Sequence, residues 1–465
     1  MSEPFDLLVR GATAVLPSGA VRADIACLGG RIVKIGAAIE GAAREEVDAE
    51  GQHVIAGIID SHLHFNEPGR TEWEGLETGS ASLAAGGGTA FFDMPLNSLP
   101  PVTDAASLAL KRAAAERSSR TDFALWGGLV PGNADQLGPM RDAGAIGFKA
   151  FMCNSGVDEF PAADAATLRA GMKRAAALGM IVAVHAEDEA LARIRTAEQH
   201  VLGTDVRAWL RSRPVELELT AIRTATDIAG ETGCALHIVH VSSPEGVALA
   251  REARGRGVDV TVETCPHYLL LNEDDVARIG PPAKCFPPLR SEALRLGLWR
   301  ELEAGSIDTV GSDHSPAPPG MKRSADFFAI WGGISGCQHC FELLITEAVS
   351  RRPAEEALGR LSALLSANVA RRFGIERAKG SLAEGMDADM AVIDLRGERA
   401  LSNADLLYRH RQGPYDGRVS RARVARTIVR GRTAYAQGRV AHGAPCGQFI
   451  RPAQAQKPKA HPSHA

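Results

Sequence analysis

The sequence lacks a charge excess of either sign. Its 52 Lys and Arg stand against 56 Asp and Glu, a formal net charge of -4. That balance argues against nucleic acid or an anionic membrane surface as the main partner. It also lacks a long apolar run, since nothing approaches the roughly 18 consecutive apolar residues of a membrane span. The opening MSEPFDLLVR lacks the basic-then-apolar pattern of a secretory leader. Cysteine is thin, eight in 465 residues, mostly inside apolar segments such as GFKAFMC and ETGCALHI. Together these absences predict reduced thiols and a cytoplasmic location. Cys337 and Cys340 in GCQHC have C-x-x-C spacing, but a lone pair cannot make a four-ligand zinc site. The reading favours two packed small side chains over redox or metal duty.

What is present is a long chain with 45% hydrophobic residues, enough for a large core and for roughly two or three domains at about 150 residues each. The first stretch reads as short strands joined by Gly-rich turns: DLLVRGATAVL, DIACLGG, RIVKIGA. The pattern returns late, in ADMAVIDL and ARTIVRGRTAYAQGRVA. Two β-rich flanks predict one small β-sandwich domain built from both chain ends, residues 1–56 and 379–450. Between them, apolar strand-like runs alternate with Ala- and Leu-rich helical runs. Eight strand candidates appear: VIAGIIDSHLH, GGTAFFDM, DFALWGGLV, AIGFKAFM, MIVAVHAE, CALHIVHVSS, VDVTVETCPH and IDTVGSDHS. Eight βα units predict an α/β fold, a TIM (β/α)8 barrel over residues 57–378, with catalytic residues at the C-terminal ends of its strands. The polar, Pro-rich end, 451–465, reads as a mobile tail.

The polar residues fall where a barrel would use them. His62 and His64 close the first run, and residues two apart on a strand share a face. Two imidazoles converging in a cavity suit a divalent metal, although fourteen histidines will sometimes sit two apart by chance. Lys149 lies in AIGFKAFM, a run that ought to be buried. A buried ammonium must lose its charge, pair or change chemically. A neutral lysine can add carbon dioxide to become a carbamate (N6-carboxylysine), an anion able to bridge two metals. The plainer alternative is an ion pair with Asp313. His185, His240 and Asp313 end further runs. His237, three residues before His240, is expected to face the wall, and His314 to face away from the site.

Four histidines, a lysine and an aspartate fit a two-metal hydrolase. His62, His64 and Asp313 would hold one metal and His185 and His240 the other, with modified Lys149 between them. Asp313 would take a proton from the attacking metal-bridging hydroxide and pass it to the leaving nitrogen. Zinc suits the set, but manganese, cobalt and iron accept the same ligands.

The segments DSHLHFNEPGRTEWEG, FFDMPLNSLPP, GFKAFM, VHAED, HVSSPEGV, ETCPHYLL, KCFPPLR, GSDHSPAPPGMK, WGGISG and YRHRQGPYDGR resemble those of the cyclic amidohydrolases. These are the dihydroorotases, hydantoinases and allantoinases of the amidohydrolase superfamily. The resemblance spans nearly the whole chain and is greatest to allantoinases. It implies a binuclear zinc site with a carbamylated lysine at the six positions already named, and a homotetramer. It also implies the small-molecule substrate allantoin, whose hydantoin ring would be opened to allantoate in purine breakdown. Asn66 stands where dihydroorotases carry an arginine that grips a carboxylate, and an amide suits a neutral ring with ureido groups. Asn154 stands where hydantoinases often carry a tyrosine. Asn97, Ser315 and backbone around Gly332 complete the expected substrate contacts, each with an alternative as turn former or cap. Glu67 and Arg70 are expected to pair and shape the first loop. Rival readings are a hydantoinase, a dihydropyrimidinase or another cyclic amidase, and a non-catalytic scaffold relative.

Overall fold

Gly57 divides a run that the sequence carries straight through. In the computed structural model, which describes residues 4–453, His53–Ala56 pairs antiparallel with Met390–Asp394. Ile58–Leu63 instead pairs parallel with Gly88–Asp93. A Cβ at Gly57 would lie 2.2 Å from Thr89 Oγ1, so the two elements meet here only because glycine has no side chain.

Past that point the barrel runs through parallel strands Ile58–Leu63, Gly88–Asp93, Asp122–Leu125 with its continuation Gly127–Gly128, Phe148–Phe151, Val182–His185, Leu236–Ile238, Val260–Thr264 and Thr309–Val310. The last closes on the first just beyond the regular strands. The Asp313 N–H donates to the His62 carbonyl and the His64 N–H to the His314 carbonyl, each at 2.8 Å. Helices cover the outside, and several start on side-chain caps. Asp104 opens Ala105–Ser118 with a capping box, Asp164 opens Ala165–Ala177, and Ser243 precedes Pro244 at the head of Pro244–Gly255. Each such cap contributes about 1 kcal/mol. Strand and helix faces meet in a continuous core that includes Leu63, Phe91, Phe148, Val184, Ile238, Val262 and Val310. Each fully buried side chain of this size contributes about 1.5–3 kcal/mol.

The β-rich unit is one nine-stranded sheet drawn from both ends of the chain. Its apolar face holds Leu7, Val9, Ile25, Ile32, Val54, Met390, Val392 and Ile428. A buried charge cluster pins it to the barrel. Lys379 Nζ lies 2.7 Å from Asp122, 3.0 Å from Asp387 and 2.6 Å from Asp389, and Arg430 also pairs with Asp122. The three carboxylates are close enough to hold a metal, but the lysine ammonium already fills that role. Removing the cation leaves buried acids uncompensated, so Lys379→Met is expected to cost about 3–5 kcal/mol. Urea denaturation checks this, and a loss below about 1 kcal/mol would show that the cluster relaxes instead.

Of the segment read as a tail, Arg451 and Ala453 hydrogen-bond to Ala143 and Gly374. Just before it, Gln448 and Ile450 pair with Phe123. Residues 454–465 lie outside the described part. Among the described residues, no helix is long and apolar enough to cross a membrane.

Candidate metal centre

The residues picked out along the chain converge at the C-terminal ends of the barrel strands. His62 Nδ1 lies 3.0 Å from Glu263 Oε1, which turns Nε2 towards Asp313 Oδ1 at 3.4 Å. His64 Nε2 reaches the same oxygen at 3.5 Å. Opposite them, His185 Nδ1 lies 3.0 Å from His240 Nε2, while His185 Nε2 sits 2.8 Å from Glu187 Oε2. The His62 and His240 rings are 5.3 Å apart, so the two groups adjoin. Two nitrogens on one tetrahedral zinc would be about 3.3 Å apart, given Zn–N bonds of roughly 2.0–2.1 Å. His62, His64 and Asp313 are close enough to hold a metal, and the His185–His240 pair brings two further nitrogens together at a similar spacing.

Lys149 stands in the fourth strand, fully buried, and its Nζ has no hydrogen-bond partner among the described residues. The plainer alternative, an ion pair with Asp313, does not form within 4.0 Å among the described residues. Burial pushes the Lys149 amine down to about 7, against the pull of Asp313 and Glu263. Burial also lowers His62, His185 and His240, keeping the imidazoles neutral and able to ligate. Burial alone would raise the Asp313 carboxyl, but His62 and His64 hold it at about 2.

Backbone strain marks two of the candidate ligands. His240 has φ 41° and Asp313 φ 43°, a left-handed region that residues other than glycine rarely enter and that clusters at functional sites. The sixth strand stops at Ile238, so simple alternation fails before His240. Hence His237 does not face the wall. It shares a register layer with Ala183, itself paired with Lys149, and with Thr261. Its Nε2 lies 3.4 Å from Glu263 Oε2. His314 does turn away, with Nδ1 accepting from the Gly336 N–H at 3.0 Å and its ring against Tyr408.

Two carboxylates beyond the residues that the sequence singles out complete the cluster. Glu263 supports His62 and His237, and Glu187 supports His185 and also meets Arg213 at 3.3 Å. Glu187 lies only two residues after His185 and was findable by proximity in the chain, whereas Glu263 meets His62 and His237 across strands and had no local signal. Such partners fix the ring tautomer and orientation. Glu263→Gln is therefore expected to weaken metal binding about 10–100-fold, read by chelator competition. Unchanged affinity would reduce Glu263 to a structural partner.

Above the cluster opens a cavity of about 660 Å³. Asn97, Asn154, Ser315 and Gly332 line it. Asn66 does not. It is fully buried and donates to the Pro316 carbonyl at 3.3 Å. Its φ of 64° is one that asparagine tolerates better than most residues, so backbone shape accounts for it. The Asn154 side-chain oxygen accepts from the Gly156 N–H at 2.8 Å, as a turn former would. Arg70 pairs with Glu159 at 3.1 Å rather than with Glu67, whose carboxylate accepts from the Leu76 N–H. The apolar wall of Phe151, Phe286, Met321, Phe328, Ile330 and Trp331 had no signal in the sequence. Cys337 and Cys340 are buried free thiols.

An eight-stranded parallel barrel with imidazoles and carboxylates gathered at its strand ends defines a class, the metal-site hydrolase barrels. Comparison with known proteins narrows it. The profile of the amidohydrolase family matches residues 53–434, and the chain belongs to that family. A protein of Rubrobacter xylanophilus named allantoinase is 52% identical, over 96% of this chain and 98% of that one. Its namesake in Deinococcus radiodurans is 49% identical over 96% and 99%. Among solved structures, an L-hydantoinase (dihydropyrimidinase) from Arthrobacter aurescens superposes with a TM-score of 0.93. It is 34% identical and covers 96% of this chain and all of its own.

Proposed function

We propose that this chain is an allantoinase, a hydrolase that opens the cyclic amide of allantoin to give allantoate. The observation that carries the reading is identity of 41–52% to relatives named allantoinase over at least 96% of the chain. The site geometry supports it. His62, His64 and Asp313 would hold one divalent ion and His185 and His240 the other. Lys149, as a carbamate formed from carbon dioxide, would lie between them. Zinc suits these nitrogen and oxygen donors. Such ions, when bound, polarise a carbonyl and acidify water towards neutral pH.

The chain's own residues do the rest. Asp313, ionised at neutral pH, accepts the proton of the attacking water and returns it to the ring nitrogen as the C–N bond breaks. Asn97, Asn154, Ser315 and the Gly332 backbone contact the ureido and imide groups. Asn66 shapes the pocket from behind, through Pro316 next to Ser315. We place the barrel at residues 57–378, flanked by a β-rich unit of 1–56 and 379–450, in a cytoplasmic homotetramer.

The test is ring opening by metal-replete protein on allantoin, dihydroorotate, dihydrouracil and hydantoin side by side. Strong preference for allantoin supports the reading. Preference for hydantoin or dihydrouracil over allantoin would favour the hydantoinase or dihydropyrimidinase alternative, to which the apolar cavity wall and the Arthrobacter neighbour lend weight. Well under one metal per chain after growth with zinc would favour a non-catalytic scaffold.

A further inference from the structure

Two lysines behind the cavity wall stand without a carboxylate. Lys284 is fully buried. Its Nζ donates to the carbonyls of Phe327 at 2.7 Å, Phe328 at 3.1 Å and Ile330 at 2.5 Å. The rings of Trp209, Phe286 and Phe327 surround it at 5.2, 5.4 and 5.4 Å, within the range of cation–π attraction. Lys322 Nζ donates to Gly333 at 2.6 Å, Trp331 at 3.0 Å and Pro281 at 3.4 Å. Neither forms a salt bridge among the described residues. Burying an unpaired ammonium is expensive, and two of them set against one loop call for a reason.

That loop is the cavity wall. Residues 328–333 all line the cavity, whereas Lys284 and Lys322 do not. Five carbonyls of the seven residues 327–333 are therefore drawn to the side away from the substrate. The exceptions are Ala329 and Gly332. Gly332 makes no hydrogen bond through N–H or carbonyl among the described residues. No side chain fits at that point either, because the Phe286 ring would lie 2.2 Å from a Cβ at Gly332, so only the peptide is presented there.

We infer that Lys284 and Lys322 are positioning residues for substrate binding. By holding the flanking carbonyls outward, they leave the Gly332 peptide, one donor and one acceptor, facing a neutral amide-rich ring. Burial lowers both amines to about 7, and in their protonated form they make charge-assisted bonds to carbonyls, stronger than neutral ones, which suits a loop that has only a short 3-10 turn of its own, Phe327–Ala329. The inference rests on the allantoin reading for its kinetic readout alone.

The experiment measures Lys284→Met and Lys322→Met in metal-loaded enzyme. Methionine keeps the length and removes the charge. Each is expected to raise KM about tenfold, equivalent to about 1.4 kcal/mol, with kcat within about threefold and metal content unchanged. Lys322→Arg, which can still donate to the same carbonyls, is expected to bring KM back to within about threefold of the parent. Unchanged KM in both methionine variants overturns the inference, and so does an equal fall in kcat with KM held. Should neither variant fold, hydrogen exchange on the unmodified protein decides. Peptides spanning 327–333 exchanging as slowly as the strand Val182–His185 support the staples, and exchange at open-loop rates overturns them. The exchange arm needs no substrate, so a protected loop in a protein inert on allantoin would count against the allantoin reading alone.

Discussion

Lys149→Ala is expected to lower kcat/KM on allantoin by at least about a thousandfold, or about 4 kcal/mol of transition-state stabilisation. It is also expected to lower metal content. An ordinary lysine, near 10.4, leaves only about one amine in several thousand neutral at pH 7. Burial brings Lys149 down to about 7, so a far larger share of the amine is neutral there. A neutral amine can attack the carbon of carbon dioxide and release a proton, leaving a carboxylate on nitrogen. That anion would sit where the structure has a buried Nζ with no partner among the described residues, beside neutral imidazoles able to ligate a metal. The alanine variant would remove both that anion and its two donor oxygens. Short carboxylates such as acetate or propionate, supplied with metal, are expected to restore part of the activity by filling the space. Full activity and full metal content in Lys149→Ala would remove the carbamate from the mechanism. Loss of activity with metal retained would keep the lysine essential but deny it the bridging role.

Much of this site is legible in the chain because a parallel barrel writes its chemistry in a regular way. Each strand is an apolar run, and a polar residue at its end stands out against that run. His62, His64 and His185 show this directly, and Lys149 stands out as the one charge inside its run. The alternation fails where the backbone stops being a strand. Counting back from His240 puts His237 in the wall, but the strand ends at Ile238 and His240 takes a left-handed φ, so parity no longer carries across. Asn66 shows a second limit. Its residue type reads as a substrate contact, while its φ of 64° gives an equally good reason for asparagine, and only coordinates separate the two. Long-range partners are a third. Arg70 finds Glu159 rather than Glu67, because side chains pair across loops whose approach depends on the whole barrel. The double run split at Gly57 is a fourth, since one apolar stretch serves two sheets.

Asp313→Asn separates proton transfer from metal holding. The substitution keeps the shape and one ligand oxygen but removes the basic site. General acid–base catalysis contributes about 10²–10⁴-fold, so kcat is expected to fall by about a thousandfold while KM changes little. The carboxyl rests at about 2, held down by His62 and His64 against the opposing effect of burial. It therefore carries no proton at neutral pH and is free to accept one at every turnover. It gives the proton up readily, because a departing ring nitrogen is far more basic than a carboxylate held so low. The amide can do neither. Its loss of charge also leaves His62 and His64, 3.4 and 3.5 Å away, without their shared anion, so metal content must be measured on the same sample. A thousandfold fall in kcat with metal retained assigns Asp313 to proton transfer. A fall that tracks metal loss, and that excess zinc reverses, makes Asp313 a ligand first and moves the proton to another group. A variant that stays within tenfold of the parent with its metals in place would rule out Asp313 as the acid–base residue, and the strained backbone at φ 43° would then need another explanation.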